Sequence, residues 1–265
     1  MRVLLPPSEA KTSGGSGRPL AGRAAHPVLG TARDRTLDAL EELLQQPRDA
    51  VARALLLPPG VVDETLASDA LVRSSPTAPA LERYAGTVYD GLAFAQLPPD
   101  RRRVLGRSVL IFSGLFGVVR GDEAVPAYRV PGKAVLPGIG VAATYWRPVL
   151  DTAMPQLLGR GHGLVVDLRS GDYSAMWRPR GSSARQVITV RVLSPLPNGG
   201  WGVVSAASKF AKGRLTGALA ARLAAGGSVD TMHDVADAWL EAGGLRAEEG
   251  AGSELVVYTR TARIV

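Results

Sequence analysis

The chain has 265 residues, a formal net charge of +7 and a pI near 10.1, with 46% hydrophobic and 21% charged residues: the make-up of a folded protein with a sizeable core and a leaning toward polyanions. The absence of cysteine excludes disulfides, thiolate nucleophiles and cysteine-type zinc sites. No apolar run approaches the ~18 residues of a membrane span, and the first one stops at Leu5, short of the ~7–15-residue core of a signal peptide. A cytoplasmic protein without membrane contacts is expected.

The chain opens with Val3-Leu4-Leu5, too short for a helix and compatible with a strand, halted by Pro6 and Pro7. Ser8, Glu9 and Lys11 follow, then Ser13-Gly14-Gly15-Ser16-Gly17, a loop that is either solvated and loose or able to approach a ligand closely. Residues 31–44 have leucines at helical spacing, and residues 48–57 and 61–71 extend a helical subregion at about 31–71. A helix, a short glycine-containing turn and a second helix are compatible with a nucleic-acid backbone clamp, although simple antiparallel packing is the commoner outcome. Beyond the run holding Tyr84, Tyr89 and Asp90, Arg107 to Phe112 reads as a buried strand, Leu164 to Val166 as a second, and 186–193 as a third, leading through Asn198-Gly199-Gly200 into a hairpin. Helices are expected at 208–225 and 229–242, and a closing strand at 255–259. The order is not a regular βαβ repeat. It predicts an α+β protein, a single compact domain over 1–265 with a mixed central sheet flanked by helices, and not a Rossmann fold.

Three polar loops each follow a strand-like run: Ser8 to Lys11, Ser113 to Arg120, and Asp167 to Tyr173. If the strands are neighbours, the loops meet in one cleft at the strand ends. Lys11, Arg120, Arg129, Lys209, Lys212 and Arg214 are the available cations. Gly213 offers close backbone approach at a helix start, and Lys212 and Arg214 are expected to be exposed there. Glu9, Asp90, Asp167 and Asp172 are the acid/base candidates, with Tyr89, Tyr128 and Tyr173 as aromatic or hydroxyl partners. His26, His162 and His233 lack metal-ligand spacing, so no metal and no cofactor is expected. No Walker loop, dinucleotide fingerprint, nucleophile elbow or HExxH motif occurs, which argues against nucleotide hydrolysis and serine-hydrolase chemistry.

Taken together, Pro7-Ser8-Glu9-Ala10-Lys11-Thr12, Gly86-Thr87-Val88-Tyr89-Asp90-Gly91-Leu92, Ser113-Gly114-Leu115-Phe116-Gly117-Val118-Val119-Arg120, Pro126-Ala127-Tyr128-Arg129, Asp167-Leu168-Arg169-Ser170-Gly171-Asp172-Tyr173 and Lys212-Gly213-Arg214 resemble the YaaA family of peroxide stress proteins. The resemblance implies a YaaA-like α/β fold, protection from hydrogen peroxide, and DNA binding through a basic cleft that includes a helix-hairpin-helix-like element. Carried onto this chain, it makes Lys11, Arg120, Arg129, Lys212 and Arg214 the cleft cations and Tyr89, Ser113, Asp167 and Tyr173 its polar lining. Ser8, Tyr128, Ser170 and Lys209 join the expected contacts to DNA or another phosphate-bearing ligand. The chain departs from the pattern at Thr87, Phe116 and Gly121-Asp122, which leaves room for a shifted ligand preference. The alternative is an enzyme of glycosylase or lyase type acting on a nucleobase, nucleoside or related small anion. In that reading Lys11 anchors or activates the substrate, Asp167 or Glu9 moves the proton, and Tyr89 or Tyr173 contacts the base.

Overall fold

A computed structural model describes residues 1–20, 28–159, 161 and 163–260. In chain order its main elements are β1 (Arg2–Leu5), α1 (Gly30–Leu44), α2 (Arg48–Ala54), α3 (Val62–Ala70), α4 (Thr87–Leu92), α5 (Pro99–Ser108), β2 (Val109–Ser113), β3 (Gly117–Arg120), α6 (Ala142–Leu158), β4 (Val165–Asp167), β5 (Val187–Pro195), β6 (Trp201–Gly202), α7 (Ser205–Ala224), α8 (Met232–Glu241), β7 (Arg246–Glu249) and β8 (Glu254–Tyr258). The strands form one sheet in the order β7-β8-β5-β4-β1-β2-β3, with β6 added to β5. The five inner strands run parallel, and the antiparallel pairs lie at the edges or in the β5–β6 hairpin. This is a mixed but mostly parallel sheet in one domain.

Side chains alternate between its faces, as a strand requires. Val3, Leu5, Val109 and Ile111 enter a large core shared with Leu40 of α1, Leu215 of α7 and Trp239 of α8. Leu4, Leu110 and Phe112 turn to the other face, beneath Trp146, Leu150 and Met154 of α6. Because both faces are covered, the inner strands read as continuous apolar runs rather than alternating ones. The closest helix contact joins α4 and α7. A Cβ at Gly91 would lie 2.1 Å from the Phe210 carbonyl oxygen, and one at Gly213 only 1.9 Å from that of Val88, so the two backbones touch.

The parallel strands have a property that matters for function. From β1 the chain proceeds to β2 on one side, whereas β4, on the other side of β1, is followed outward by β5. The order reverses between β1 and β4. In open parallel sheets such a switch point leaves a crevice outside the carboxyl ends, because the connecting segments diverge.

Candidate functional site at the strand ends

The loops leaving β1 and β4 meet at that crevice, since β1 pairs in parallel with both neighbours: Leu5 with Ile111, and Leu4 with Asp167. Across the reversal, Tyr173 Oη donates to Glu9 Oε1 at 3.2 Å while accepting from the Gly132 amide at 3.0 Å. The expected convergence of the amino-terminal and Asp167 loops therefore occurs.

The loop after β1 is firmly held. Arg83, fully buried, donates to the carbonyl oxygens of Thr12, Gly14, Pro76 and Val125, and the Thr12 amide bonds back to Arg83 O at 2.8 Å. Gly15 and Gly17 lie so close to Thr77 that a Cβ would stand 2.4 Å from its carbonyl oxygen or 2.3 Å from its hydroxyl. The glycine run thus serves close approach to the chain's own 77–83 segment.

This clamp places Lys11. Its ammonium donates to Ser8 O at 2.9 Å and Glu9 O at 3.3 Å, and lies 4.2 Å from the ring centre of Tyr128 and 5.1 Å from that of Tyr84. Burial drives its pKa down to about 8, against the partial support of Glu9 and Asp69. Asp69, in the last turn of α3, is fully buried; Oδ1 accepts the Arg129 amide at 2.8 Å, and Oδ2 has no hydrogen-bond partner among the described residues. Desolvation raises its pKa to about 6, although Lys11 and Arg129 both oppose the rise. A base pushed down and an acid pushed up, each toward neutrality, form the pattern of a proton-transfer site.

Tyrosines complete the wall. Tyr128 joins Tyr84 and Ser113 through its hydroxyl, Tyr89 Oη donates to Pro6 O at 3.0 Å, and Tyr84 stacks on Tyr89 with ring centres 5.5 Å apart. Burial raises the pKa of Tyr84, Tyr89, Tyr128 and Tyr173, so all four are neutral at physiological pH. Tyr84 and Tyr89 also line a cleft of about 490 Å³ with Thr12, Asp90, Phe94 and Arg102.

Other expected residues are placed differently. Both Asp167 oxygens are taken up by Arg169, with Nε to Oδ1 at 2.9 Å and a terminal nitrogen to Oδ2 at 2.7 Å, so the carboxylate fixes its own loop. Arg120 ends β3, which runs antiparallel to β2 and pairs it with Leu110; it lies at the opposite end of the sheet, against Asp122 and near Arg2. The segment from Ser113 to Arg120 is therefore a hairpin leading away from the cleft. Lys209, Lys212 and Arg214 lie inside α7, beyond its first turn, and face different surroundings. Lys209 is exposed, Lys212 is only 7% exposed with its ammonium 3.4 Å from Arg169 O, and Arg214 bonds Ala242 O beyond α8. Lys212 was expected to be exposed; instead its burial lowers its pKa, and Gly213 meets α4 rather than a ligand. Ser8 approaches the backbone at Gly86, Ser170 is exposed on the loop after β4, and His233 is exposed on α8. His26, His162 and the side chain of Asp172 lie outside the described residues.

Asp69 and Tyr84 were not among the residues singled out by the sequence. One cue existed for Asp69: an acid in the last turn of a helix opposes the macrodipole and needs another reason to be there.

The fold and site define an α/β protein whose loops after β1 and β4 meet at the switch point of its sheet, beside a cluster of buried tyrosines. The family model described as peroxide stress protein YaaA matches residues 1–243, and the chain belongs to that family. It is 39% identical over 223 residues to a UPF0246 protein of Streptomyces coelicolor, covering 83% of each chain. It is also 37% identical over 225 residues to one of Corynebacterium efficiens, covering 83% of this chain and 85% of the relative. Among the described residues, no helix is long and apolar enough to cross a membrane.

Proposed function

We propose that this protein serves peroxide defence in the cytoplasm as an enzyme acting on a nucleobase-bearing ligand, hydrolysing the bond between base and sugar. The observation that carries this reading is the through-space coupling of buried Lys11 and Asp69, whose pKa values of about 8 and about 6 are both displaced toward neutrality behind the loop that follows β1. The free Oδ2 of Asp69 takes a proton from water as the water oxygen bonds to the anomeric carbon. The carbon–nitrogen bond breaks, its electron pair leaves with the base, and Lys11 returns a proton to that base. Asp69 thus fills the role first assigned to Asp167 or Glu9: both oxygens of Asp167 are occupied, and Glu9 Oε1 accepts from Tyr173 Oη. The test is release of free base from oligonucleotides carrying oxidised bases and from free nucleosides, followed by chromatography. Wild type should release base with a rate that rises through pH 6 and falls through pH 8, and Asp69→Asn should lose at least ~100-fold. Equal release by the two proteins, or none by either, would remove the proposal.

A second reading, contact with the DNA backbone, is favoured by a different surface. Arg103 and Arg107, one turn apart on the exposed face of α5, form no salt bridge among the described residues, and Arg2 bonds Arg107 O near Arg120. With a net charge of +7, such a face suits phosphates. Duplex affinity should fall steeply between low and moderate salt, and the double change Arg103→Ala and Arg107→Ala should weaken it. Salt-independent or unaltered affinity would count against this face.

A further inference from the structure

On several surfaces of the molecule a guanidinium meets the carboxylates beside it: Arg48 with Asp63, Arg73 with Asp38 and Glu41, and Arg222 with Asp234. The cleft of about 490 Å³ lined by α4, α5 and the 81–85 segment is different. Arg102, Glu82 and Asp90 all line it, and among the described residues none of the three makes a side-chain hydrogen bond or salt bridge. Arg102 Nε is covered by protein and has no partner. The two terminal nitrogens are equally unbonded but are not covered, so they are the end of the guanidinium that a ligand reaches. Both carboxylate residues are exposed.

Between these charges the wall is apolar. Helix α4 ends at Ala93, whose left-handed backbone, at φ 50, turns the chain and sets half-buried Phe94 in the wall with Leu81. A residue other than glycine holds that conformation only when its surroundings impose it. The volume lies within the ~300–1,000 Å³ of small-molecule sites. A ligand here meets a flat apolar surface, a guanidinium that needs acceptors and carboxylates that need donors. Two carboxylates against one cation disfavour a phosphate in the cleft itself.

We propose that this cleft binds a guanine-type base, with Arg102 donating to O6 and N7, Asp90 accepting from N1–H and the N2 amino group, and Phe94 stacked on the ring face. Guanine carries two adjacent acceptors followed by two adjacent donors, and a guanidinium opposite O6 and N7 is a bidentate match. Adenine sets an acceptor, N1, against the carboxylate, and uracil flanks its one ring donor with two carbonyls. Asp90 takes the donor edge because Glu82 lines the adjoining hollow at Pro79, Pro99 and Gly121 together with Arg102, on the guanidinium's own side. Neither Lys11 nor Asp69 lines the cleft, so the site is separate from the pair that carries the enzymatic reading.

The test is calorimetric titration of the full chain with guanosine, 7-deazaguanosine, inosine and adenosine. Wild type should bind guanosine about tenfold more tightly than 7-deazaguanosine, which lacks the N7 acceptor, and about tenfold more tightly than inosine, which lacks the N2 amino group, with adenosine weakest. Arg102→Met should abolish the preference over 7-deazaguanosine and keep the one over inosine. Asp90→Ala should do the reverse, whereas a merely structural role for either residue would weaken all four nucleosides alike. A base turned out of a strand presents the same edges, so an oligothymidylate carrying a single guanine forms a second arm, and guanine-dependent binding that Asp90→Ala weakens supports the site in either arm. No guanine-dependent binding in either arm, or variants that keep both preferences, overturns the proposal. Asp69→Asn should bind guanosine as wild type does. A protein that binds guanosine in this way but releases no base would keep this site and lose the enzymatic reading; base release without a guanine preference would do the converse.

Discussion

Two buried acid–base pairs sit beside the same parallel strands, and their difference separates architecture from reactivity. Asp167 and Arg169 satisfy each other: two guanidinium nitrogens reach the two carboxylate oxygens, the Arg169 amide adds a third bond, and the remaining guanidinium contacts reach the Tyr173 and Trp177 carbonyls. Asp69 and Lys11 are left incomplete. One carboxylate oxygen has no partner, the ammonium has two carbonyl bonds and aromatic rings in place of a counter-ion in contact, and the two groups interact through space. A completed pair fixes a loop. An incomplete one retains charge that a ligand can use, at a cost to stability.

The comparison breaks most sharply through Arg169→Ala, which strands Asp167 in the interior. Removing one partner of a buried pair typically costs about 3–5 kcal/mol, so urea denaturation at pH 7 should register a loss of that order. A loss below about 1 kcal/mol would mean that the pair is not the loop's anchor.

Asp69→Asn should act in the opposite direction. The folded pKa of Asp69, about 6, lies above the unfolded value of 3.8, so folding favours its neutral form. Its contribution is intact below pH 4 and is lost as pH rises through 6, where ionisation costs the folded state about 3 kcal/mol. The variant should therefore be more stable than wild type by about 2–3 kcal/mol at pH 7 and equal to it near pH 3.5. A pH-independent difference would show that Asp69 titrates normally.

Lys11→Met sharpens the same contrast with a smaller effect, because the ammonium keeps two carbonyl bonds and two aromatic neighbours. The folded pKa, about 8, lies below the unfolded 10.5, so the charged form is penalised below pH 8 and the penalty disappears as pH rises to 10.5. The variant should gain about 2 kcal/mol over wild type at pH 7, and the gap should close toward pH 10.5. A gap that widens with pH would reverse the assignment.

Much of the scaffold was legible because apolar runs ending in glycine, proline or polar residues carry the strand signal directly. The strands at Val109–Ser113, Val165–Asp167, Val187–Pro195 and Glu254–Tyr258 all lie within a few residues of where the sequence places them. Helix α6 was silent, since Pro148 and Pro155 interrupt a pattern that packing under the sheet nevertheless sustains. At the site, Glu9, Lys11, Ser113 and Tyr173 were readable as residues of loops after strands, with Tyr128 as a hydroxyl partner and Arg129 as a cation, and the fold brings them together. Arg120 and Arg214 depend on features that local pattern does not encode: the direction of a returning hairpin and the rotational phase of a helix. Asp69 was hidden for a related reason, because its value comes from partners more than fifty residues away in sequence.

The central strand β1 has its ladder partners far along the chain, with Val3 opposite both Val109 and Val166. Its three apolar residues can be covered only after loops of more than a hundred residues have closed, which places the protein in the regime of slow, high-contact-order folding. Lys11 follows that strand by a few positions, so its environment is among the last to form. A chain interrupted before residue 128 would possess the lysine without Tyr128 and Arg129, two of the neighbours around its ammonium.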